Sequence, residues 1–181
     1  MEKAPKSVDE LKGFNNMMCC TNLLKLLILS AILSGCVSVS LPSAKSSKAK
    51  GVKWNAPASP FENLNDTAID QAWMSKKTGN TISYLSECSS TADRSLESLQ
   101  SEALNVLTKL QVQEEKNLDF NGRRALLVTA RGEVDGVAVK MSLLTLKKND
   151  CNYSLTYSGL EKTFDAETSF FQKFLDSFEA P

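Results

Sequence analysis

The octapeptide Cys151-Asn152-Tyr153-Ser154-Leu155-Thr156-Tyr157-Ser158 alternates without a break: Cys151, Tyr153, Leu155 and Tyr157 fall on one side, Asn152, Ser154, Thr156 and Ser158 on the other. Successive side chains of a strand point to opposite faces. The pattern therefore reads as a strand with one buried and one wetter face, the habit of antiparallel sheets. Working upstream, 137–148 is apolar on both sides (Val137, Val139, Met141 and Leu143 against Leu144 and Leu146), so it is expected at the centre of the sheet. Asn149-Asp150, Asp135-Gly136 and Asn121-Gly122 separate 151–158, 137–148, 123–132 and 112–120. These dipeptides suit tight hairpins, whose central residues need positive φ. The result is an antiparallel meander of four or more strands.

Helical periodicity flanks the meander. Leu96, Leu99, Ala103, Val106, Leu107 and Leu110 recur at spacings of three and four and predict a helix over 94–110, capped by Asp93, with Lys109 suited to its negative end. Phe170, Phe171, Phe174 and Phe178 form an aromatic stripe on a helix expected over 165–178, whose natural role is core packing on the sheet. Nearer the N-terminus, Asp66 reads as the cap of a short helix, 67–74, with Ile69, Ala72 and Trp73 inward. Thr78-Gly79-Asn80 reads as a turn, and Thr81 to Ser86 as a strand ended by Cys88. The fold class is α+β, a sheet with helices packed on it.

Leu33-Ser34-Gly35-Cys36 follows the apolar run Leu26-Leu27-Ile28-Leu29-Ser30-Ala31-Ile32. The run is too short to span a bilayer comfortably and has the length of a signal-peptide core. The combination resembles the lipobox of bacterial lipoproteins. The resemblance implies that residues 1–35 are a signal peptide, that Cys36 becomes the acylated first residue of the mature chain, and that Val37-Ser38, lacking an acidic residue, direct it to the outer membrane. Which leaflet the domain faces stays open. Lys3, Lys6 and Lys12 are offset by Glu2, Asp9 and Glu10, so the leader is expected to begin at Met17 or Met18, with residues 1–16 upstream of the true start. Residues 36–52, rich in Ser, Lys, Ala and Pro, are expected to be a flexible tether, and 53–181 a single domain. The lysines of this tether suit anionic head groups or simple solubility.

The 21 basic and 21 acidic residues of the chain are unevenly placed. Four lysines (Lys45, Lys48, Lys50, Lys53) and no acid lie between Cys36 and Lys53, whereas 13 basic and 18 acidic residues follow from Trp54 on. A mildly acidic domain lacks the concentrated positive face of a nucleic-acid binder. Of five cysteines, Cys19 and Cys20 lie in the leader and Cys36 is the lipid site. Cys88 and Cys151 remain as an even pair in an oxidising compartment, and a disulfide between them is expected. Two buried free thiols are the alternative.

The order of elements from about 54 to 178 is similar to the family of the photosystem extrinsic protein PsbP and a small Ran-binding import factor. Trp73, the Thr81-Ile82-Ser83-Tyr84 strand, the 94–110 helix, the hairpins and the Phe-rich last helix carry the likeness. It implies an α/β/α sandwich. That fold hosts unrelated functions, so no functional residue transfers.

The chain holds no histidine, the commonest general base and metal ligand. Ser/His/Asp and Cys/His nucleophilic sites are thereby excluded, and two cysteines are too few for a structural zinc site. No Gly-rich phosphate loop is present. Glu114-Glu115 and Glu133 with Asp135 are acidic pairs at positions expected to face water, and Arg123-Arg124 point to opposite faces of a strand. No catalytic residue, metal or cofactor is expected. The leading expectation is a non-catalytic cell-envelope lipoprotein that works by protein contact with an unknown envelope protein or in a structural role. The alternative is a small-ligand or lipid binder with a pocket between the sheet and the C-terminal helix. An apolar cavity lined by Phe170 and Phe174 would favour the second, and a closed core with an exposed apolar patch the first.

Overall fold

A computed structural model describes residues 46–65, 68–89 and 94–181. The leader, Cys36 and most of the tether lie outside the described residues, as do Asp66 and Asp93, the two expected helix caps. The described elements are β1 (Phe61–Leu64), β2 (Gln71–Ser75), β3 (Thr81–Cys88), α1 (Leu96–Leu104), β4 (Thr108–Phe120), β5 (Arg123–Val134), β6 (Val137–Lys148), β7 (Cys151–Leu160), α2 (Glu161–Phe164), a 3-10 turn (Asp165–Glu167) and α3 (Thr168–Ser177).

Seven strands form one antiparallel sheet in the order β1-β2-β3-β7-β6-β5-β4. It is two meanders, β1–β3 and β4–β7, joined where β3 lies beside β7. The three turns of the second meander take positive φ as their sequences require: 56° and 71° at Asn121-Gly122, 50° and 78° at Asp135-Gly136, and 50° and 60° at Asn149-Asp150. Adjacent residues of β6 divide the two faces. Leu143 packs with Val128, Ala130, Leu104 and Leu107 beneath α1. Leu144 and Leu146 pack with Tyr153, Leu155, Tyr157 and the phenylalanines of the C-terminal helices. The layers are α/β/α, and the aromatic face is the larger core.

The expected alternation of 151–158 is present in full: residues 151, 153, 155 and 157 are buried, and 152, 154, 156 and 158 half-buried. Strand 137–148 is interior, between β5 and β7, and β7 is the middle strand. Three expectations need correcting. Residues 71–75 are a strand, with Trp73 registered opposite Ile82, rather than the second half of a helix over 67–74. The spacing of Ile69, Ala72 and Trp73 imitates one helical turn, but so short a segment is marginal as a helix and gains more by pairing with β3. The 94–110 helix ends at Leu104. Leu107 then packs beneath Gly132 while the chain turns into β4, so the apolar spacing continues after the helix has stopped. Ser95, whose Oγ accepts from Ser98 N at 3.1 Å, is the observed cap. The last helix starts as α2 and a 3-10 turn before α3.

Candidate functional site

Cys88 and Cys151 face each other in the register of β3 and β7 and are bonded, with S–S 1.99 Å. Cys36 lies outside the described residues. The acidic pairs form no cluster. Glu114 is ion-paired with Lys116 (2.6 Å) and Glu133 with Lys109 (2.8 Å), both at the surface. Arg124 reaches Glu97 (2.7 Å) and Asn117, away from Arg123. Among the described residues no group of three or more His, Cys, Asp or Glu side chains could hold a metal, and no helix is long and apolar enough to cross a membrane.

Two polar assemblies were not anticipated from the sequence. The first is built on Glu167, a buried carboxylate in the 3-10 turn. It accepts from Ser75 Oγ (2.8 Å), Thr78 Oγ1 (2.5 Å) and Asn80 Nδ2 (3.3 Å). Asn80, itself fully buried, also donates to Tyr157 Oη (2.8 Å), which donates to Phe164 O (2.6 Å). Buried polar groups must be paired, and here the pairs of Glu167 tie the 3-10 turn to the end of β2 and the β2–β3 turn, while Tyr157 of β7 links Asn80 to α2. Burial, reinforced by the nearby Glu167 carboxylate, pushes the Tyr157 hydroxyl up to about 12. Gly159 makes room for the assembly: a Cβ there would lie 1.9 Å from Asn80 Oδ1. The sequence showed Thr78-Gly79-Asn80 only as a turn.

The second assembly holds a strap, residues 47–54, against the outer edge of β3 beyond the end of β2. Ser47 pairs with Cys88 through two backbone bonds (3.1 and 2.8 Å), and Ala49 N donates to Ser86 Oγ (2.8 Å). Ser86 donates from both its N (2.6 Å) and Oγ (2.5 Å) to Asp70 Oδ2. Lys48 Nζ donates to Ile69 O (2.8 Å) and lies 3.2 Å from Asp70 Oδ1, an ion pair without hydrogen-bond alignment. Lys53 pairs with Glu179 through two backbone bonds, and Trp54 Nε1 donates to Tyr84 Oη (3.1 Å) while its ring meets Trp73 edge-on at 5.0 Å. Burial raises the hydroxyls of Tyr84 and Tyr153, and the Asp70 carboxylate adds to both. Residues 46–52, whose composition predicts a tether, therefore include a segment built into the domain. A strand-like pairing of so few residues leaves no period to read.

The space between the sheet and α3 is filled by rings. Phe174 is 1% exposed and lies 5.5 Å from Trp73, 6.0 Å from Phe178 and 6.5 Å from Tyr84, centroid to centroid. Phe170, half-buried, meets Phe61 at 5.3 Å. Among the described residues, open space is found at the end of the sheet away from the strap. A 520 Å³ groove is lined by Val137, Ala138, Leu160, Glu161 and Lys162. A 150 Å³ cleft beside it is lined by Arg131, Gln111, Lys109, Glu133 and Glu161, with Arg131 bonded to Gln111 (2.7 and 2.9 Å) and Glu161 (3.3 Å). Towards the same end Val106, Leu110, Val112 and Val137 are 41–53% exposed.

No protein-family model and no curated protein sequence matches the chain. Solved structures do. The solution structure of cyanobacterial PsbP from Synechocystis sp. PCC 6803 superposes with a TM-score of 0.51 at 15% identity, covering 83% of this chain and 99% of that one. The fold is PsbP-like. LpqN of Mycobacterium tuberculosis, a protein involved in cell envelope biogenesis, superposes with a TM-score of 0.58 at 12% identity, covering 76% of this chain and 91% of that one. At these identities the PsbP-like likeness concerns the fold alone.

Proposed function

We propose that the protein is a non-catalytic, lipid-anchored component of the cell envelope, acylated on Cys36 and held at the outer membrane, that acts by contact with another envelope protein. One observation supports the contact reading above a ligand-binding one. The aromatic core is closed around Phe174, while four large apolar side chains at the far end of the sheet stand in water. Exposed apolar patches on small domains commonly mark contact sites. The lipobox-like Leu33-Ser34-Gly35-Cys36 supports the anchor, and the shared fold with LpqN, involved in cell envelope biogenesis, supports the compartment.

Two experiments test this. Metabolic labelling with an alkyne palmitate should mark the wild-type chain and leave Cys36→Ser unmarked and unprocessed; an unlabelled wild-type chain removes the anchor. A photocrosslinker at Val112 or Val137 should capture a discrete envelope protein, while one at Ser169 on the exposed side of α3 should not. Equal capture at all three positions, or co-purifying lipid with no crosslinked protein, favours the ligand-binding alternative.

A further inference from the structure

The strap joins the domain at one end of the sheet. Ser47 pairs with Cys88 beside the Asn121-Gly122 and Asn149-Asp150 turns and the C-terminus. Asn121 Nδ2 donates to Phe178 O (2.9 Å), Asn149 Nδ2 to Pro181 O (2.8 Å) and Lys148 Nζ to Ala180 O (2.8 Å), and Gly51 lies against Pro181. The Asp135-Gly136 turn and Val137 are at the opposite end. Resting on the reading that Cys36 is acylated, we infer that the domain stands end-on to the membrane. The strap end lies against anionic lipid head groups, and the apolar end is held out towards a partner.

Chain length limits how the domain can sit. A polypeptide spans at most about 3.3–3.6 Å per residue, so the eleven residues from Cys36 to Ser47 reach no farther than about 40 Å. The 12 residues of β5, at about 3.4 Å each, give the sheet a similar length of about 40 Å. Val137 meets the bilayer only if the connecting chain is drawn to its limit alongside the sheet. The clamp keeps the connecting chain short. Without the Ser47–Cys88 pairing and the contacts of Lys48 and Ala49 with Asp70 and Ser86, the first attachment would be Lys53 to Glu179, and the connecting chain would gain six residues of reach. Charge favours the same arrangement. Four lysines and no acid lie between Cys36 and Lys53, and acids outnumber bases from Trp54 on. Lys48 is offset by Asp70 and Lys53 by Glu179, so the surplus positive charge is that of Lys45 and Lys50. An anionic surface attracts this connecting chain and repels the acidic body, which disfavours lying flat.

The acylated full-length protein, reconstituted on vesicles containing phosphatidylglycerol, tests the inference. A donor fluorophore is placed at Arg123→Cys, beside the strap end, or at Val137→Cys, with an acceptor on the lipid head groups. Energy transfer should be several-fold more efficient from position 123. Adding Lys48→Ala should narrow the difference. Equal transfer from vesicle-bound protein overturns the end-on arrangement, and an unchanged difference in the Lys48→Ala background overturns the role of the clamp. Protein that fails to bind vesicles, or binds equally well as Cys36→Ser, defeats the anchoring reading instead.

Discussion

Three residues hold the core in different ways. Phe174 sits among Trp73, Tyr84 and Phe178 and is 1% exposed. Phe174→Ala should lower unfolding free energy by about 3–5 kcal/mol, the usual cost of a large-to-small change in a packed interior, measured by urea denaturation. Gly159 is constrained by its neighbour and not by its φ. A Cβ 1.9 Å from Asn80 Oδ1 forces Asn80 out of its bonds to Tyr157, Thr163 and Glu167. Gly159→Ala should therefore cost about 1–3 kcal/mol, the range for overpacking, and Gly159→Ala combined with Asn80→Ala should cost less than the two changes summed. Tyr157 makes the fold sensitive to alkali. Its proton is held more tightly in the folded chain, up to about 12, than in the unfolded one near 10. That contribution is complete below pH 10 and is lost as pH rises through 12, about 2–3 kcal/mol at most. Tyr84 and Tyr153 shift the same way. Stability followed by denaturation from pH 9 to 12 should fall, and Tyr157→Phe should flatten the fall; a parallel decline in the variant would remove Tyr157 as its source.

At the scale of elements, what could be read from the sequence follows from how much period each element contains. The second meander was legible because each of its strands is ten or more residues long and each turn carries an Asn/Asp signal at positive φ. The aromatic helix was legible as core because its stripe, Phe170 to Phe178, repeats over more than two turns. β1 and β2, of four and five residues, hold too little period to separate strand from helix, so the spacing around Trp73 indicates its inward direction and not its element. The strap was illegible for a different reason. Its Ser- and Lys-rich composition is that of an unfolded linker, and it is ordered only by partners far along the chain: Asp70, Ser86, Cys88 and Glu179. Asp70 is the residue on which it depends, since its carboxylate takes both Ser86 donors and the Lys48 charge. Asp70→Asn replaces one acceptor oxygen by a donor facing a donor or a cation. The strap should then open at little more than local cost, seen as faster amide exchange at 47–54 and higher Trp54 solvent exposure, while β4–β7 keep their protection. Unchanged exchange at 47–54 would show that the backbone pairing with Cys88 suffices.

At the scale of the whole molecule, the seam between the two meanders carries the structure. Among the described residues, β1–β3 and β4–β7 join in the sheet through β3 and β7, which meet along eight registered pairs that end at Cys88 opposite Cys151. The disulfide closes this seam at the strap end, where Ser47 also pairs with Cys88. Its loop of 63 residues holds α1 and the β4–β6 run. In the chain-entropy account, closing a loop of that length in the unfolded state stabilises the fold by about 4 kcal/mol. Cys88→Ala with Cys151→Ala should lose about that amount, with the loss concentrated in the unfolded chain and little change in the native sheet. The hydrogen bonds of β3 with β7 do not depend on the sulfurs, so the double variant should retain native-like amide protection in β6 and β7 at low denaturant and unfold at a markedly lower midpoint. If protection in β3 and the strap collapses while β4–β7 remain intact, the bond is instead a local pin, holding the strap end of the first meander to a sheet that is otherwise stable without it.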